Sequence, residues 1–118
     1  MSNTNKDHTN LEIYRGDTET VKFTCVDKDG DPYDLSLFTI NSQARLSHDS
    51  ENFLFSINIV DGEIGSDFEN GIVVLRIPSA KTSILPPQSV YDIEAKIGDY
   101  KITIVKGYLY MIPDVTRV

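Results

Sequence analysis

A chain of 118 residues suits one domain with little room for a second, and at this length roughly two thirds of the unfolded surface is buried on folding, enough for a core without disulfides or metal. Eighteen acidic against eleven basic residues give a formal net charge of −7, and the lysines stand singly (Lys22, Lys81, Lys96, Lys101, Lys106), which argues against a nucleic-acid partner because phosphate binding needs clustered cations. Cys25 is the only cysteine, so neither an internal disulfide nor any usual zinc spacing is available, and no stretch approaches the ~20 apolar residues of a membrane span.

Residues 1–9 have nothing to bury and read as a flexible polar arm without the apolar run of a signal peptide, so synthesis in a cytoplasm is expected. Residues 10–118 then read as one domain. Leu11 and Ile13 open the first apolar run. TETVKFTCV alternates, with Val21, Phe23 and Cys25 on one face and Thr20, Lys22 and Thr24 on the other, the period-two pattern of a strand with one wet face. FTINSQARL sets Phe38, Ile40, Ala44 and Leu46 against Thr39, Asn41, Gln43 and Arg45, and FLFSINIV follows after the polar break SHDSEN. DGEIGSDFENG reads as a long loop, and IVVLRIP as a strand stopped by Pro78. In SAKTSILPP, Ser79 is expected to cap one helical turn through Thr82, which Pro86 and Pro87 prevent from extending. VYDIEAKIG alternates again, Gly98-Asp99 signals a two-residue hairpin, and YKITIV and GYLYMIP close the chain. Seven or eight short strands with turns every 8 to 12 residues predict an all-β fold of the sandwich or barrel type.

VDKDGDPYDLS holds Asp27, Asp29, Asp31 and Asp34 around Gly30, a density of carboxylates that invites a calcium ligand set. Counted from Asp27, however, glycine falls at the fourth position and Phe38 at the twelfth, whereas an EF-hand loop needs glycine at the sixth and glutamate at the twelfth. The favoured reading is a tight turn, with Asp-Gly supplying the positive φ. A non-EF calcium site built from several loops stands as the alternative. Arg15-Gly16-Asp17 reads as a strand connection. Ser47, His48 and Asp49 are consecutive and cannot form a triad, whose members meet through the fold. His8 falls in the arm, and Cys25 reads as a small buried hydrophobe with no base beside it. No catalytic, cofactor or metal site is expected.

Two late strands are apolar on both faces. In GYLYMIP, Leu109 and Met111 oppose Tyr108, Tyr110 and Ile112; in IVVLRI, Val73, Leu75 and Ile77 oppose Ile72 and Val74. A second apolar face needs a cover, either the segments 61–71 or 79–87 of the chain itself or a protein partner. Tyr108, Tyr110, Ile112, Ile72 and Val74 are therefore the candidate partner interface.

The ordered motifs IYRGDT (13–18), FTCVDKDGDPYDLS (23–36), Thr82 with YDIE (91–94), and Gly107 with DVTR (114–117) resemble the small immunoglobulin-like domains of tailed-bacteriophage virion proteins. The likeness is greatest to the N-terminal domain of phage baseplate upper proteins and runs from about Leu11 to Arg117. It implies an immunoglobulin-like antiparallel β-sandwich that links other virion proteins, does no chemistry, and uses its aspartate-rich stretch as architecture. In that family the domain anchors a longer protein bearing receptor-binding modules; this chain ends at Val118, and the expectation is a tail, baseplate or fibre-attachment component. The expected partners are other virion proteins or further copies of the chain, with no nucleic acid and no membrane. The alternatives are a decoration protein of the phage head and a carbohydrate-binding sandwich module, the latter set against the absence of Trp and six tyrosines dispersed along the sequence.

Overall fold

The computed structural model describes residues 9–47 and 49–113. The predicted arm (1–8, including His8), His48 and the tail 114–118 lie outside the described residues. Among the described residues there are seven strands, β1 (Leu11–Tyr14), β2 (Glu19–Thr24), β3 (Thr39–Arg45), β4 (Phe53–Ile59), β5 (Ile72–Ile77), β6 (Gln88–Ile97) and β7 (Tyr100–Ile112), and one short α-helix, α1 (Ser79–Thr82). They make a curled five-stranded sheet of order β1-β7-β6-β3-β4 and a two-stranded sheet of β2 and β5. The all-β expectation holds. Among the described residues no helix is long and apolar enough to cross a membrane.

The alternation read from the sequence sets the core. Ile40 and Ala44 of β3, Ile93 and Ala95 of β6, and Leu109 and Met111 of β7 meet Phe23 of β2 and Val73, Leu75 and Ile77 of β5 in one apolar cluster, which also takes in Cys25, Leu35 and Phe68. Cys25 is thus the buried hydrophobe it was read to be. The hairpin at Gly98-Asp99 forms as expected, with Ile97 opposite Tyr100 and Gly98 at φ 56°.

Four expectations are corrected. First, the sheet is not antiparallel throughout: β1 runs parallel to β7, Leu11 opposite Leu109 and Tyr14 opposite Ile112. The connection Arg15–Thr18 carries the chain to β2 in the other sheet, so β1 belongs to no hairpin and is free to pair in either direction. Second, YKITIV and GYLYMIP are one 13-residue strand, irregular in register opposite Ile93/Glu94, where Ile104 is the extra residue. Third, Pro78 occupies the N-cap of α1, and the Ser79 amide donates to Thr18 Oγ1 at 3.2 Å from the neighbouring connection. Fourth, Thr9 is part of the fold: its amide donates to the Lys106 carbonyl at 2.8 Å and its carbonyl accepts from the Tyr91 hydroxyl at 2.7 Å. Gly107 makes room for this close passage, since a Cβ there would collide with the Thr9 carbonyl oxygen.

Burial drives the Tyr91 phenol well above its ordinary range. A raised folded-state value means that stability is intact below the unfolded tyrosine pKa of about 10 and is lost as pH climbs past it toward the folded value. Tyr91→Phe is expected to cost about 1 kcal/mol at neutral pH through the lost bond to Thr9, and to show a shallower fall above pH ~10 than the parent chain. Urea unfolding of both proteins between pH 7 and 11 checks it; parallel pH profiles would mean that Tyr91 ionises freely in the fold.

Candidate functional site

The outer face of the five-stranded sheet carries the largest share of the predicted interface. Along β7, Leu109 and Met111 enter the core while Tyr108, Tyr110 and Ile112 point outward, half-buried. The rings of Tyr108 and Tyr110 stack with centroids 5.9 Å apart at 28°. The parallel edge strand β1 sets Glu12 beside Tyr110 and Tyr14 beside Ile112. Tyr14, at 57% exposure, extends the aromatic row to the sheet edge. Three of the six tyrosines therefore converge, although they are dispersed in sequence. Tyr33 and Tyr100 flank Phe38 elsewhere, at 6.3 and 6.4 Å between centroids.

Beyond the tyrosines the same face is mostly polar, with Phe53 exposed at its β4 edge. Tyr108 pairs in register with Val90, Val90 with Arg45, and Arg45 with Phe53. Val90 points outward yet is only 6% exposed and lies outside the main core cluster. The Arg45 guanidinium is committed to the turn beyond β3, donating to the Ser50 carbonyl at 2.5 Å and to Gln43 Oε1 at 2.9 Å. The next rows run Lys106, Asp92, Gln43, Ser56, and then Thr103, Glu94, Asn41, Asn58. Gln43, Arg45, Val90, Tyr91, Asp92, Thr103 and Lys106 line a hollow of about 240 Å³.

Ile72 and Val74 do not join this face. They belong to β5 in the two-stranded sheet, where Thr24 pairs with Ile72 and Lys22 with Val74. Val74, predicted as part of an open interface, is buried. Its amide donates to Ser66 Oγ at 2.9 Å, and the 3-10 turn Glu63–Gly65 lies against β5, with Ile64 and Val74 lining one hollow together with Ile57 and Ile59. Of the two covers considered, segment 61–71 supplies this one. Ile64 sits at φ 53° between two positive-φ glycines, Gly62 and Gly65, an unfavourable backbone for a β-branched residue.

The aspartate-rich stretch is a turn. Asp27 Oδ1 accepts from the amides of Asp29 (2.9 Å) and Asp31 (3.0 Å), Gly30 lies at φ 86°, and Val26 bridges to Pro32. Asp34 accepts from the Ser36 amide at 2.9 Å, and its hydrogen bonds from Ser36 hold the carboxyl below the usual range. Among the described residues no three His, Cys, Asp or Glu side chains come together as a metal-holding group.

Arg15-Gly16-Asp17 is likewise consumed by the fold. The Arg15 guanidinium donates to the carbonyls of Leu85 (2.6 Å) and Ser83 (3.2 Å), the Gly16 amide to Thr82 Oγ1 (3.1 Å), and Thr82 Oγ1 to the Asp17 carbonyl (2.7 Å).

Tyr14, Asn41, Gln43, Asn58 and Thr103 are surface residues that the sequence-based interface left out. The signal for the β3 members lay in the wet side of FTINSQARL; Tyr14 needed the parallel pairing of β1, which no local pattern encodes.

No protein-family model and no curated protein matches the chain. Among solved structures, the fold is similar to part of the endo-β-1,4-mannanase from Thermotoga petrophila, with a TM-score of 0.51 and 9% identity over 96% of this chain. The match covers 19% of the mannanase chain, so it is a likeness of fold to one portion of a much longer protein.

Proposed function

We propose that this chain is a non-enzymatic structural protein of a tailed-phage virion, an immunoglobulin-like sandwich of the tail, baseplate or fibre-attachment apparatus that binds neighbouring virion proteins. The observation that carries the reading is the aromatic edge of the large sheet: Tyr14 and Tyr110 with Ile112, backed by the ring of Tyr108. Tyrosine gives large contact area at low entropic cost and is enriched at protein interfaces, whereas a solvated sheet edge has no need of it. The motifs shared with phage immunoglobulin-like domains, IYRGDT and the aspartate-rich turn among them, favour a virion setting, and in the fold both serve as architecture.

The test is proteomic and genetic. Density-purified particles of a phage encoding the chain are expected to contain it in fixed stoichiometry, and gold-labelled antibody is expected to decorate the tail. Label on the head would make it a decoration protein. Recovery only from the particle-free lysate would overturn the virion reading. Tyr110→Ser combined with Ile112→Ser is expected to reduce incorporation at least about tenfold, the scale of losing an aromatic hot spot, while the melting temperature stays within a few degrees of the parent.

A further inference from the structure

We infer that the free edge of β1, beside the exposed tyrosines, takes up an extended segment of a partner protein as an added strand, one that sets an apolar residue over Tyr14 and a lysine or arginine opposite Glu12. This deepens the assembly reading and rests on it. The direction of the backbone groups follows from the ladder with β7. The amides of Thr9 and Arg15 donate to the carbonyls of Lys106 and Ile112, both at 2.8 Å. Alternation along the strand turns Leu11 and Ile13 the same way and turns Glu12 and Tyr14 outward. The Tyr14 carbonyl accepts from the Asp17 amide at 3.0 Å, so the Glu12 N–H and C=O and the Tyr14 N–H are the open positions. Among the described residues β1 is the end strand of its sheet, and Glu12 and Tyr14 are both exposed.

An antiparallel segment fits these groups, with one residue exchanging two hydrogen bonds with Glu12 and the residue two before it accepting from the Tyr14 amide. Directly opposed side chains share a face, so the first stands against the Glu12 carboxylate and the second against the Tyr14 ring and Ile112. Charge decides what the first must be. Glu12 makes no hydrogen bond or ion pair through its side chain among the described residues. Asp17 and Glu19 follow where the chain leaves the edge, while Arg15, the one cation between Glu12 and Glu19, has its guanidinium bound to the Ser83 and Leu85 carbonyls. Lys106 stands back along β7 from Tyr110, about 13 Å at ordinary strand rise, in register with Asp92. The edge is therefore negative, and a second copy of a chain carrying −7 brings the same acids to meet it. A basic segment is attracted instead, the backbone bonds supplying affinity and the Tyr14 face the choice of side chain. A short strand with a carboxylate is also a poor template for indiscriminate pairing.

Isotope-labelled protein titrated with the peptide Ac-TVIVKVT-NH2, and separately with its twin Ac-TVIVEVT-NH2, is the test, read from amide chemical shifts. The lysine peptide is expected to shift the Glu12 and Tyr14 amides saturably at millimolar concentration. The glutamate twin is expected to bind about fivefold more weakly, a difference that about 0.5 M salt removes. Glu12→Lys is expected to reverse the preference. Glu12→Pro, which deletes an outward amide while the bonds from β1 to β7 stay, is expected to abolish binding of both peptides, with the melting temperature within a few degrees of the parent. No shift with either peptide, equal affinity for the two at low salt, or a dimer by light scattering that Glu12→Pro dissociates would overturn the inference. None of these results bears on whether the chain enters particles, which the proteomic and antibody tests decide.

Discussion

Gly71→Ala is expected to destabilise the protein by about 3 kcal/mol, lowering the melting temperature by 10 °C or more. Two independent costs combine. Gly71 lies at φ 73°, where an L side chain costs ~1–2 kcal/mol. A Cβ there would also press on the carbonyl oxygens of Cys25 and Tyr33, the latter at 2.9 Å, and both belong to backbone that is itself bonded in place. The Cys25 amide donates to the Gly71 carbonyl at 2.8 Å and the Tyr33 amide to the Cys25 carbonyl at 3.0 Å, so three chain segments meet at this residue. Gly30→Ala is the control. Its φ is 86° but the space around it is open, so only the backbone cost of ~1 kcal/mol applies. Equal melting temperatures for the two variants would show that the junction relaxes around the methyl group.

The second large effect is expected at Thr82. This fully buried side chain joins α1 to the Arg15–Thr18 connection, accepting from the Gly16 amide and donating to the Asp17 carbonyl. Thr82→Val keeps the shape and removes both bonds, stranding a donor and an acceptor away from water at a cost of about 2 kcal/mol. Hydrogen exchange at the Gly16 amide is expected to accelerate in proportion. Unchanged stability in urea would mean that the Arg15 bonds to the Ser83 and Leu85 carbonyls hold the connection unaided.

These two sites show where sequence reading succeeds and where it stops. Alternation in TETVKFTCV, FTINSQARL and VYDIEAKIG placed strands and core residues because period two is a local property. The turn at Asp27–Asp31 was legible for the same reason: an Asp side chain reaches its own backbone two residues on. Apolar pattern on both faces of β5 and β7 was also legible, but not its partner. Val74 was covered by Ser66 and Ile64 from a loop whose backbone conformation has no sequence signature, while Tyr108 and Tyr110 stayed on an outer face. Dividing the five residues between two surfaces required knowing that β5 and β7 lie in different sheets. Thr9 looked like part of a polar arm because what holds it, the Tyr91 hydroxyl, is 82 residues away.

The parallel pairing of β1 and β7 has a mechanical consequence. Tension applied between residue 11 and residue 112 pulls β1 from its start and β7 from its end, along the axis the two strands share. The ladder between them is then loaded in shear, with its hydrogen bonds bearing force together, whereas a terminal hairpin would peel open one bond at a time. A domain joined in series through these two ends would resist extension better than its modest size suggests, and its resistance would be set by the four residues of β1.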